Sequence, residues 1–168
     1  KDLATESDPF TLHIEEQEKP NEWDDKLSAL NHVTIEPYKS GVSQITTDQI
    51  NPQHTNLIIA PGLANPVDQF EALKTLVEQS SCELGRVISV VQCDQLEAHK
   101  ELQSWYDACI HFSDVCLINR GVDTTNQFVQ DVIDRYKEQQ FPCLFEQVFK
   151  NGIKNPGLIL EPQARRLS

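Results

Sequence analysis

The stretch Asn-Leu-Ile-Ile-Ala-Pro-Gly-Leu-Ala-Asn-Pro at positions 56–66 decides the fold. Leu57, Ile58, Ile59 and Ala60 run without polar alternation, the pattern of a strand buried on both faces of a parallel sheet. Pro61-Gly62 ends that strand, because proline donates no backbone hydrogen bond and glycine adopts angles that other residues avoid. Asn65-Pro66 makes a second turn, and Val67, Phe70, Leu73, Leu76 and Val77 follow at helical spacing. Strand, glycine turn and helix in that order make one α/β unit. Ligands of open α/β sheets bind beyond the carboxyl ends of the strands, so the turn at 61–65 is the first candidate site.

The unit recurs downstream. Arg86-Val-Ile-Ser-Val-Val91, Val115-Cys-Leu-Ile118 and Pro142-Cys-Leu-Phe145 read as strands. A long helix is predicted over 94–112, and another over 125–139 with Phe128, Val129, Val132, Ile133 and Tyr136 facing inward. Strand starts at 57, 86, 115 and 142 are spaced by 29, 29 and 27 residues, each the length of a strand, a crossover helix and two loops. The predicted class is therefore α/β, a three-layer sandwich around a mostly parallel sheet in which these strands lie side by side. The turns at 61–66 and 119–123 are then expected at a common rim. Upstream, Phe10-Thr-Leu-His-Ile14 and His32-Val-Thr-Ile-Glu36 read as short strands, the second ended by Pro37. A short helix capped by Asn21 is expected between them, and one helical turn near 47–50.

Composition narrows the function classes. The 168 residues suit one domain, and 39% hydrophobic content with a mean hydropathy of −0.44 suits a soluble globular chain. No apolar run approaches the roughly 20 residues of a membrane span, and no secretory leader opens the sequence, so no membrane association and a cytoplasmic location are expected. A net charge of −12 argues against nucleic acid, whose phosphates reward clustered Lys and Arg. Nine of the 26 acidic residues lie between Lys1 and Asp25, as in a solvated arm. The five cysteines are odd in number and form no Cys-x-x-Cys pair, which excludes a disulfide framework or zinc ribbon. Cys93 and Cys116 sit in apolar contexts, as small buried hydrophobes do. The five histidines lack metal-ligand spacing and read as surface or helix residues, and no Gly-x-Ser-x-Gly elbow marks a serine hydrolase.

Two strand-end turns carry chemistry together: Ile59-Ala-Pro-Gly-Leu-Ala-Asn-Pro66, and Asp114-Val-Cys-Leu-Ile-Asn-Arg-Gly-Val-Asp123, with Val90-Val-Gln-Cys-Asp94 between them. In order and spacing the chain here resembles the CobW-like family of P-loop GTPases, the group that includes nickel and cobalt metallochaperones. In that family one strand ends in Glu-Thr-x-Gly-Leu-Ala-Asp-Pro near the γ-phosphate, a later one in Val-Val-Asp-Ala, and another in the guanine-reading Asn-Lys-x-Asp. The likeness covers roughly residues 56–140. It implies a P-loop-NTPase-like core, GTP or GDP with Mg2+ as ligand, and Asn119, Arg120, Asp123 and Gly62 as nucleotide-binding residues. A carboxylate accepts from the N1 and N2 donors of guanine, an asparagine amide both bonds the base and braces the loop, and an arginine stacks where the family has lysine. Asp123 equally fits the cap of the following helix, so both roles stand open for it.

The chain also departs from the family. Asn119-Arg-Gly-Val-Asp123 is one residue longer than Asn-Lys-x-Asp, which requires Gly121 to absorb the extra residue as a bulge. Ala60-Pro61 replaces Glu-Thr, Asn65 replaces Asp, and Tyr38-Lys-Ser-Gly41 carries no cysteine of the family's metal motif. The Gly152-Ile-Lys-Asn-Pro-Gly157 segment contains a proline and lacks the Lys-Ser/Thr that a P-loop needs. No catalytic residues are therefore assigned, and hydrolysis is not expected. The segments become an acidic, partly flexible arm at 1–30, a nucleotide-binding-like core at 31–150 and an extension at 151–168. The rival expectation is a non-catalytic domain that engages a protein partner through the arm or the 61–66 turn.

Overall fold

The computed structural model describes residues 9–16, 22–62, 64–121 and 124–162. Asp123, Leu63, Asn21 and residues 1–8 and 17–20 of the acidic arm lie outside the described residues. The chain is α/β and forms two compact units, Lys1–Glu83 and Leu84–Ser168, each built on its own three-stranded parallel sheet.

In the first unit, strand β1 (Phe10–Glu15) lies between β2 (Val33–Tyr38) and β3 (Thr55–Ile58). Leu12 is in register with Ile35 on one side and Leu57 on the other. Helix α1 (Glu22–Ser28) connects β1 to β2, and two single-turn 3₁₀ segments, Val42–Gln44 and Thr47–Gln49, lead towards β3. Helix α2 (Pro66–Gln79) then starts as the sequence dictates. Pro66 occupies its first turn, where a missing N–H costs nothing, and the Asn65 side chain caps it by accepting from the Val67 N–H at 3.0 Å. A small core of Tyr38, Val42, Ile45, Ile50 and Leu76 gathers beside it.

Three expectations are corrected in this unit. Strand β3 is not buried on both faces: among the described residues it is an edge strand paired with β1 alone, and Leu57 on it and Ile59 just after it stay 37% and 40% exposed. Nor is it paired with the strands near 86 and 115, which belong to the other sheet. Pro37 does not end β2, because an edge strand has an unpaired side on which a missing donor is tolerated. His13 is not a surface residue either. It is 0% exposed in β1, with Nε2 3.2 Å from Asn56 Oδ1.

In the second unit, β4 (Ile88–Gln92), β5 (Val115–Asn119) and β6 (Leu144–Val148) pair in that order, all parallel. Helices α3 (Cys93–Ala98) and α4 (Gln103–His111) make the first crossover, and α5 (Asn126–Glu138) the second. A short helix α6 (Pro156–Leu160) follows β6. The core joins Val91, Cys116 and Ile118 of the sheet to Cys93, Leu96, Tyr106, Ile110, Val129, Val132 and Tyr136 of the helices. Cys93 and Cys116 are thus buried apolar residues, and their environment pushes both thiols up, Cys93 to about 11, chiefly by burial.

The single helix expected over 94–112 is broken at His99, which leaves helical angles (φ −129°, ψ 79°) before a 3₁₀ turn at Lys100–Leu102. At about 100° per residue, an unbroken helix would set Leu96 and Leu102 about 120° apart. The break lets Leu96 of α3 and Tyr106 and Ile110 of α4 join one core, with Leu102 against it.

Candidate functional site

A polar cluster lies at the carboxyl edge of the second sheet. Register places Gln92 at the end of β4 directly beside Asn119 at the end of β5. Opposed residues of neighbouring strands point to the same face, so their amides meet, and Asn119 Nδ2 donates to Gln92 Oε1 at 2.7 Å. Gln92 Nε2 then donates to Asp94 Oδ1 at 2.7 Å, and the Gln95 backbone N–H donates to the same oxygen at 2.9 Å. The backbone N–H of Gln92 reaches the Tyr106 hydroxyl at 3.3 Å, and burial pushes that phenol up, keeping it neutral.

The charge of Asp94 sets the polarity of this chain of bonds. A carboxylate only accepts, so the Gln92 amide must present its nitrogen to Asp94 and its oxygen to Asn119. Asn119 must then turn its nitrogen inward, and among the described residues no partner is given for its Oδ1 or its second N–H.

Gly121 closes the site. It sits at φ 76°, in the left-handed region that favours glycine. A Cβ on it would lie 2.1 Å from Asp94 Cγ and 2.2 Å from Oδ2, so the carboxylate packs against the bare α-carbon. Arg120 is exposed and donates from Nη1 to Asn126 Oδ1 at 3.1 Å. The cap of α5 is Thr125, whose hydroxyl accepts from the Phe128 N–H at 3.2 Å. The hydroxyl of Thr124, beside it, is buried without a hydrogen-bond partner among the described residues.

Of the four residues expected to bind nucleotide, the structure places Asn119 and Arg120 consecutively at the end of β5, next to Gln92 and Asp94. Asp123 lies outside the described residues. Gly62 follows β3 in the first unit, exposed, with nothing within 4 Å of a Cβ added to it and no left-handed φ. The segment around Gly152 and Gly157 is a tight turn closed by reciprocal backbone bonds between Phe149 and Gly152, followed by α6. Sequence reasoning passed over Gln92 and Asp94 as site residues. The signal for them was their position, two residues apart at the end of a strand that neighbours the Asn119 strand.

Among the described residues no group of three or more His, Cys, Asp or Glu side chains is arranged to hold a metal ion. No helix among them is long and apolar enough to cross a membrane. A scan against protein-family models and searches of curated proteins and of solved structures found no match.

Proposed function

We propose that the second unit binds a guanine nucleotide through its base, at the rim formed by Gln92, Asp94, Asn119 and Arg120, and does not hydrolyse it. The observation that carries this reading is the relay from Asn119 through Gln92 to Asp94. It braces an asparagine at a strand end while, among the described residues, leaving part of its amide without a partner, which supports the double duty of a guanine-reading asparagine. Gly121 supports it further, since a left-handed glycine is the device by which a loop one residue longer than Asn-Lys-x-Asp fits the same turn. On this reading the chain is a degenerate or partial relative of the CobW-like GTPases, with an altered P-loop-NTPase-like core. The sequence carries no Gly-x-x-x-x-Gly-Lys-Ser/Thr loop, so no phosphoryl-transfer step is assigned to these residues.

Calorimetric titration with GDP, taken to about 1 mM because base contacts alone give weak affinity, tests the proposal. Saturable heat with GDP and none with ADP is expected, with Asn119→Ala weakening binding about tenfold. Absence of heat with GDP and GTP overturns it. The second reading, a non-catalytic interaction domain, is favoured by the exposure of Leu57 on the edge strand of the first unit and of Ile59 just after it. It predicts that Leu57→Lys abolishes capture of a protein partner and leaves nucleotide titrations unchanged.

A further inference from the structure

We infer that Lys150 and Lys154, on and just after the tight turn that follows β6, form an anion subsite for the diphosphate of the nucleotide read at this rim. The inference rests on the guanine-nucleotide reading above. It adds a place for the phosphates, which a sequence without a P-loop motif leaves unassigned. Register sets the location. Val148 at the end of β6 lies beside Asn119 at the end of β5, so Phe149 and Arg120, the next residues, leave the sheet at the same rim. Neighbouring strands are about 4.8 Å apart, and the four-carbon stem of a lysine is long enough to cross that gap. Phe149 and Gly152 exchange backbone hydrogen bonds at 2.9 and 2.8 Å, which fixes the turn that carries Lys150. The Lys154 ammonium stands 5.1 Å from the centre of the Phe149 ring, a cation–π contact that keeps the second lysine at the same strand end.

Charge sets the chemistry. The chain carries −12 overall, yet the segment from Gln147 to Leu160 holds both lysines and no Asp or Glu. Lys150 and Lys154 are exposed, and among the described residues neither has an ion-pair partner. Two arginines elsewhere in this unit are engaged by the protein itself. Arg86 donates to the Leu158 and Glu161 carbonyls at the end of α6, and Arg135 pairs with Asp107 at 3.1 Å. Exposed Arg120 adds a third positive charge at the carboxyl rim. Such a cluster in an acidic chain attracts a multiply charged anion. A diphosphate held one ribose away from a base at Asn119 is such an anion, and a bare nucleoside is not.

The experiment measures dissociation constants of GDP, ADP, guanosine and inorganic pyrophosphate by calorimetry, for the full chain and for the double variant Lys150→Gln/Lys154→Gln. Each is taken at about 50 mM and about 500 mM NaCl, with thermal melts as a folding control. The wild-type chain is expected to bind GDP about tenfold or more tighter than guanosine at the lower salt, and the gap to narrow at the higher. Pyrophosphate is expected to displace GDP but not guanosine. The double variant should lose most of the gap and keep its affinity for guanosine. A gap unchanged in the double variant, or equal affinities of the wild-type chain for GDP and guanosine, overturns the subsite and leaves the guanine reading standing. Equal binding of ADP and GDP, lost together in the double variant, keeps the subsite and removes the base reading. If the wild-type chain binds none of the four, both fall. Should the double variant not fold, the backbone amide resonances of Lys150 and Lys154 in labelled wild-type protein decide instead. They are expected to shift with GDP and not with guanosine, and unmoved resonances in GDP-saturated protein overturn the subsite.

Discussion

Two glycines at the ends of strands make opposite demands on their neighbours. Gly121 holds a left-handed φ and leaves no room for a Cβ beside Asp94, whose short side chain is tied at Oδ1 and cannot step aside cheaply. Gly121→Ala should therefore cost about 1–2 kcal/mol, of which about 1 kcal/mol is backbone strain and the rest displacement of the carboxylate. Gly62 has neither constraint, and Gly62→Ala should stay within about 0.5 kcal/mol of the parent. Urea denaturation of the two variants reads the contrast directly, and equal costs would mean that the Gly121 turn does not hold Asp94. The sequence marked both glycines as punctuation after strands. It could not say which one needed to be glycine, because that depends on a side chain 27 residues upstream arriving at the same place.

The elements of the second unit were legible where one residue pattern served one contact. Val115, Cys116 and Ile118 make β5 almost wholly apolar, and both neighbours pair with it in parallel as the repeat spacing required. The helix over 94–112 was misread because its apolar residues satisfy two short helices with a corner as well as they satisfy one long helix. The polar pin between α4 and α5 was equally invisible. Asp107 Oδ1 accepts from the Tyr136 hydroxyl at 2.9 Å and from Gln103 Nε2 at 2.9 Å, and its Oδ2 accepts from Arg135 Nη2 at 3.1 Å. Burial, together with the Asp107 carboxylate, pushes the Tyr136 phenol up, and its ring stacks on Phe145 at 5.7 Å. Tyr136→Phe keeps the stack but removes two hydrogen bonds, the one its hydroxyl donates to Asp107 and the one it accepts from Gln103 Nε2 at 2.7 Å, so it should cost about 2 kcal/mol. Tyr136→Ala empties the ring site and should cost about 4 kcal/mol. Chemical denaturation followed by circular dichroism checks both, and equal losses would place the stability in the hydroxyl.

At the scale of the whole molecule, the strand spacing correctly foretold parallel α/β but not its division into two sheets. Residues 57, 86 and 115 begin similar apolar runs, and nothing in those runs records that β3 pairs back to β1, a strand formed by three apolar residues in a polar stretch. The two units differ in what they bury. Cys93, Cys109, Cys116 and Cys143 all belong to the second, while the first holds Cys82 alone. Burial raises the Cys93 and Cys109 thiols from 9.0 to about 11, and Cys116 further still. Between pH 9 and about 11 an unfolded chain loses these protons and the folded chain retains them, so the folded state binds more protons and stability falls as pH rises. That contribution is fully present below pH 9. Within the window Cys93 alone adds a slope of about 1.4 kcal/mol per pH unit. The second unit should therefore weaken first in alkali, under reducing conditions. Trp105 packs against its core, and Trp23→Phe makes Trp105 the sole tryptophan reporter. Denaturation midpoints from its fluorescence should fall steeply from pH 9 to 11, and less steeply once Cys93→Ala removes one titrating thiol. An unchanged slope in that variant would show that ionisation of Cys93 is not what loosens this core.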